Sequence, residues 1–179
     1  TLIGANTADL AVEAAQKAAE HGVFVSADLN YRSKVEPNKD RAQAINRRLA
    51  PYLGLLVGND SDLADALGYE THGAKGDSFD EWLPAYKETI KEVARDFPNL
   101  SLIGTQWRGA RNADIIGWGA ALYDTLNDEW HVAALREDIP IRDRTGGGDS
   151  FASGVLSAIL KGHDLDTAVN WGAAHGILV

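Results

Sequence analysis

A chain of 179 residues and 19.2 kDa is long enough to bury one full core, and its length argues for a single domain. Its 17 Lys and Arg against 26 Asp and Glu leave a net charge of -9, which argues against nucleic acid or an anionic membrane surface as the main partner. The absence of cysteine excludes disulfide frameworks, thiolate nucleophiles and Cys-ligated zinc, and no apolar run reaches the roughly 20 residues of a membrane span.

A soluble, cytoplasmic protein is therefore expected. The chain opens on Thr1 with neither an initiator Met nor a basic-then-apolar signal segment, so a piece of a longer protein is expected as well.

Asn6-Thr7 reads as the cap of a helix with apolar positions from Leu10 to Ala19 and a glycine stop at His21-Gly22. Val23 to Ala27 reads as a short buried strand. A helix is predicted over about Asp40 to Leu49, stopped by Pro51, then a strand from Leu53 to Val57 and a short helix from Ser61 to Leu67. Thr71 to Asp77 reads as a loop, Phe79 to Asp96 as a helix closed by Pro98, and Leu100 to Thr105 as a strand. From Asn112 to Val132 the pattern becomes strand, turn, strand, with Asn127-Asp128 between Ala120–Tyr123 and Trp130–Ala133. Two helices finish the chain, about Gly148 to Lys161 and Leu165 to Gly176. Strands alternating with helices predict an α/β fold whose mostly parallel sheet is covered on both faces.

In such sheets functional groups gather at the carboxyl ends of the strands. Three segments carry them: Asp28-Leu-Asn-Tyr-Arg32, Gly58-Asn-Asp-Ser-Asp62 and Gly104-Thr-Gln-Trp-Arg108. Asp28, Asn30 and Arg32 alternate, so an extended exit from the strand would put them on one side, where they could grip a polyhydroxylated acid. The alternative is an Asx-rich turn with Arg32 paired to a surface acid. Asn59 and Asp62 suit contact with phosphate or a magnesium-bound water, or else form a helix cap with an acid in its first turn. Thr105 and Arg108 carry the same ambiguity.

The run Thr145-Gly146-Gly147-Gly148-Asp149-Ser150 precedes a strongly helical stretch, so free amides at the helix start make an anion site, or the glycines form a turn capped by Asp149 or Ser150. A Walker loop would end in Gly-Lys-Ser/Thr, but here an acid follows the last glycine. A carboxylate beside a phosphate needs a task, and accepting the proton of an attacking hydroxyl is one. Gly148-Asp149-Ser150 lacks the downstream Asp-x-x-His partner of a serine esterase, and none of the five His makes a metal spacing. The five Trp are spread over different elements and read as packing.

Together, Asp28-x-Asn30-x-Arg32, Asn59-x-x-Asp62 and Asp143-Arg-Thr-Gly-Gly-Gly-Asp149 resemble the ribokinase-like sugar kinases, the phosphofructokinase B family. Arg95-Asp-Phe-Pro-Asn-Leu100 and Gly172-Ala-Ala-His-Gly176 are most similar to its 2-keto-3-deoxygluconate kinases. The resemblance implies a three-layer α/β/α sandwich, of which residues 1–179 would form the interior to C-terminal portion, without the N-terminal strands and lid or the final segment. It implies ATP-dependent phosphorylation of a sugar acid, 2-keto-3-deoxygluconate to its 6-phosphate, with Mg²⁺ and in some relatives K⁺. The alternatives are a fructokinase, ribokinase or nucleoside-type kinase of the same fold, or a non-catalytic nucleotide- or sugar-binding fragment.

By the same resemblance Asp149 is the catalytic base, and Gly146, Gly147 and Gly148 form the anion hole. Arg32, Asp28 and Asn30 bind the substrate, while Asn59, Thr105, Arg108 and Ala173 lie at the nucleotide. Where the family often shows Thr-x-Gly, this chain has Trp107, followed by Arg108. Asp62 stands where the family often has Glu and would act on Mg²⁺ through water; Asp143 and Thr145 would contribute to a monovalent-cation site. Homo-oligomers would form through the lid.

Overall fold

A computed structural model describes residues 6–71, 78–110, 112, 114–140 and 145–178. The chain runs α1 (Thr7–Glu20), β1 (Ser26–Asp28), α2 (Lys39–Leu49), β2 (Leu55–Val57), a single turn α3 (Asp60–Asp62) that widens into a π-helical turn over Leu63–Leu67, and α4 (Phe79–Asp96). It continues through β3 (Leu102–Ala110), β4 (Ile115–Asp124), β5 (Glu129–Val132), β6 (Arg136–Pro140), α5 (Gly147–Leu160) and α6 (Leu165–Ile177). No helix among the described residues is long and apolar enough to cross a membrane.

Local chemistry sets most helix ends. Gly22, at φ +71°, takes the left-handed conformation after α1, and Val23 N–H donates back to the Ala18 carbonyl at 2.9 Å. The side chains of Asn38, Ser78 and Asp164 accept from the first turns of α2, α4 and α6. Pro51 sits in a 3₁₀ turn that ends α2, as its missing N–H requires.

The sheet has the order β1-β2-β3-β4-β5, with β6 also on β4. β1, β2 and β3 are parallel, whereas β4 is antiparallel to β3, β5 and β6. Alternation along the strands builds the layers. Leu56 and Ile103 point into a core with Tyr86, Ile90 and Val93 of α4, while Leu55, Val57, Leu102 and Leu122 meet Phe151 and Val155 of α5 and Val169 of α6. Because both faces are covered, β2 is buried throughout and reads as a continuous apolar run. The α/β class expected from the sequence is borne out.

Several boundaries differ from the expectation. The first strand lies at Ser26–Asp28 and not at Val23 to Ala27; Val23 and Phe24 are exposed. β3 does not end at Thr105 but runs to Ala110, because β4 supplies an antiparallel partner from Leu102↔Asp124 to Ala110↔Ile116. β6 carries Glu137 and Asp138 and was not expected; it exists because Ile116 and Trp118 of β4 offer it a register. Most of the predicted loop from Thr71 to Asp77 lies outside the described residues.

Candidate active site

One cleft of about 330 Å³ opens at the carboxyl ends of β1 and β2 and the N-terminus of α5. It gathers Asp28, Asn30 and Arg32 from the first segment, Asn59 and Asp62 from the second, Arg108 from the third, and Thr145 to Asp149 from the glycine run. Residues more than 100 positions apart in the chain thus share one solvent-filled space.

The β1 exit reaches the cleft by a different route from the one expected. Asn30 takes φ +38°, and its N–H donates to Asp28 Oδ1 at 3.1 Å, an Asx turn in place of an extended exit. Arg32 Nη1 donates to the Tyr31 carbonyl at 2.8 Å. Tyr31 is buried; its N–H donates to Asp62 Oδ1 at 3.0 Å and its hydroxyl to the Glu36 carbonyl at 2.8 Å, so the Arg32 turn is tied to the next strand end.

At that strand end Asn59 and Asp62 form a capping box. Asn59 Oδ1 accepts from Asp62 N–H at 2.9 Å, and Asp62 Oδ2 accepts from Asn59 N–H at 3.3 Å. Both oxygens of Asp62 therefore already hold backbone N–H groups, and its burial pushes the carboxyl up against the pull of those bonds. Asp28 is pushed up to about 6, chiefly by burial, then by the charge of Asp62 and, after the opposing Asn30 bond, by that of Asp149. Among the described residues no three carboxylate or imidazole groups converge to hold a metal ion. The cleft's carboxylates are oxygen donors of the kind Mg²⁺ accepts when it retains most of its waters.

α5 starts where the chain needs a residue without a side chain: Gly146 has φ +85°. The N–H of Ser150 donates to the Gly146 carbonyl at 2.9 Å and is the first bond of the helix, which leaves the amides of Gly147, Gly148 and Asp149 outside the ladder. Trp118 of β4 packs beneath this turn, and a Cβ on Gly147 would meet its ring at 2.9 Å. Arg108, the cross-strand neighbour of Trp118, lies with its guanidinium 5.2 Å from the ring centre.

Sequence reasoning missed Gln106, which also lines the cleft. In one orientation of its amide it donates to the Gly147 carbonyl at 3.2 Å and accepts from Gly148 N–H at 3.1 Å. Its alternation with Arg108 along a strand was the available signal. The same alternation turns Thr105 to the opposite face, fully buried beside Tyr86 and away from the cleft. Trp107 shares that face and packs on Phe79 with ring centres 5.8 Å apart. Ala173 is buried in the α5/α6 core with Phe151 and Val155 and does not line the cleft. Asp143 lies outside the described residues, which leaves Thr145 as the described member of the expected cation pair.

The pfkB family carbohydrate kinase profile matches residues 117–179, the span holding β4 to α6 and the glycine turn. Over 98% of its length the chain superposes on half of the 2-dehydro-3-deoxygluconokinase of Thermotoga maritima, with a TM-score of 0.84 and 30% identity. The chain is similar to the pfkB family of carbohydrate kinases. A 2-dehydro-3-deoxygalactonokinase of Haloferax volcanii is 28% identical to this chain over 166 residues, 93% of the chain and 44% of the relative. An Arabidopsis thaliana ribokinase complexed with ribose and ATP shares the fold at a TM-score of 0.60 and 18% identity, covering 96% of this chain and 46% of the other. The chain spans about half the length of the relatives it matches.

Proposed function

We propose that this chain supplies the phosphoryl-transfer part of an ATP-dependent sugar-acid kinase, and that residues 1–179 are one portion of a carbohydrate kinase domain. The observation that carries the reading is the single cleft in which Asp149 and the glycine turn meet Arg32. Its substrate is 2-keto-3-deoxygluconate or a close relative, in keeping with the names of the relatives.

In this mechanism Arg32 holds the sugar carboxylate through its guanidinium fork, and the Asp28-Asn30 turn meets sugar hydroxyls. Asp149 accepts the proton of the terminal hydroxyl as it attacks the γ-phosphorus of ATP. The amides at the start of α5, with the positive end of the helix dipole, receive the charge of the transferred phosphoryl group. Such transfer passes through a loose transition state, so positioning and charge stabilisation carry most of the acceleration. Arg108 faces the departing phosphates. Mg²⁺ on the ATP phosphates would supply charge neutralisation, and Asp62 would meet it through water, since both of its oxygens hold the capping box and the Tyr31 turn.

The test is ATP turnover by the full-length protein with 2-keto-3-deoxygluconate. Asp149→Asn lowers kcat on the order of 10²–10⁴-fold, the usual contribution of general base catalysis. Arg32→Ala raises KM for the sugar acid while leaving weak turnover of a neutral ketose unchanged. Wild-type turnover in Asp149→Asn would refute the role of the base.

A further inference from the structure

Packing, a bond within its own helix and a hydrogen-bonding side chain from another element hold the glycine turn. Trp118 supports it from below, and the Ser150 to Gly146 bond closes it from within. From β3, Gln106 grips the one peptide unit between Gly147 and Gly148 at both of its polar atoms, at 3.2 and 3.1 Å. Only one of the two amide orientations pairs donor with acceptor at both ends. The crowding is tight: a Cβ on Gly148 would sit 3.1 Å from the Gln106 amide and 3.4 Å from Asp28 Oδ2.

We propose that Gln106 is a positioning residue for phosphoryl transfer: it sets the plane of the Gly147–Gly148 peptide and thereby the placement of Asp149, the next residue in the chain. This rests on the kinase reading above. Because the Gln106 carbonyl occupies the Gly148 N–H, the amides of Gly147 and Asp149 are the ones turned to the phosphoryl group, and Gly148 serves the turn instead of the anion. The task calls for a side chain that donates and accepts at once. Glutamine does so at every pH, whereas glutamate does so only when protonated. A β-strand paired to β4 along its whole length is a stiff mount for such a grip, and catalysis is sensitive to misplacements near 1 Å.

The experiment compares the full-length protein with Gln106→Met, which keeps the length of the side chain, and Gln106→Glu. In Gln106→Met, kcat falls on the order of 10–100-fold while KM for the sugar acid changes less than about threefold. In Gln106→Glu, kcat relative to the parent recovers as pH is lowered through the glutamate titration, a readout that mere packing would not move. Parent-like kcat in Gln106→Met overturns the proposal; so does a loss in Gln106→Glu that acid does not restore. Amide hydrogen exchange separates this from the kinase reading. Gly148 N–H loses protection in Gln106→Met whether or not the parent turns over the sugar acid, and unchanged protection overturns the grip itself.

Discussion

Behind the site α5 and α6 cross with backbone close to backbone, and a single methyl group tests it. A Cβ on Gly154 would lie 2.7 Å from the Trp171 carbonyl and 2.8 Å from Gly172 Cα, against ordinary contact at 3.4 Å or more. Both obstacles are backbone, so no side chain can swing away; α5 and α6 have to part by about 0.7 Å, taking Phe151, Val155 and Val169 with them. Overpacking of this kind costs about 1–3 kcal/mol. Alanine in place of glycine inside a helix returns about 1 kcal/mol through its propensity. Gly154→Ala is therefore destabilising by up to about 2 kcal/mol, and thermal unfolding of the full-length protein shows a fall of up to roughly 8 °C. The sign is the decisive reading. If helix propensity alone governed this position, Tm would rise, and a rise would refute the close crossing.

Two further outcomes follow from the cleft. Asp28 is held up at about 6 in the fold against 3.8 unfolded, so its contribution to stability is full below pH 4 and is lost as pH rises through 6. Asp28→Asn removes that slope, and chemical denaturation across pH 4–7 shows a flatter profile with higher stability at neutral pH. Gly146→Ala forces a side chain into φ +85° and costs about 1–2 kcal/mol in denaturant titrations, with a loss of turnover because Asp149 moves with the turn; an unchanged midpoint would mean that the turn relaxes freely.

In the proposed reading, Arg32 of the cleft meets the carboxylate of a sugar acid. The overall charge of -9 plays no visible part in meeting such anions. In the proposed reading attraction is local, supplied by Arg32, Arg108 and the start of α5, and it works beside three carboxylates, those of Asp28, Asp62 and Asp149. This arrangement suits a substrate whose own charge must be placed rather than merely attracted.

What the chain declares by itself is local. The helix over Phe79–Asp96 was legible to the residue because Ser78 caps it and Phe97-Pro98 ends it, and both signals act within a turn. The glycine run and its acid were legible for the same reason, since a left-handed residue followed by a helix start is a property of consecutive positions. Asn59 and Asp62 were readable as a pair three apart, and the structure adds the capping box to their place in the cleft.

Pairing across the sheet was not legible. Gln106 and Arg108 looked like a strand end because polar residues usually leave a sheet. In the structure they stay in β3, since β4 pairs with it on the far side and the cleft accepts their polar ends. β6 escaped notice because its acidic residues carry little strand preference, and its register comes from Ile115, Ile116 and Trp118 of β4. Arg32 came to the cleft through a left-handed Asn30 and a bond from Tyr31 to Asp62, a contact spanning 31 residues. Hydrogen bonds within a turn are encoded by neighbours; a partner strand, or a cleft shared by two strand ends, the middle of a third strand and a helix, exists only once the chain has folded back on itself.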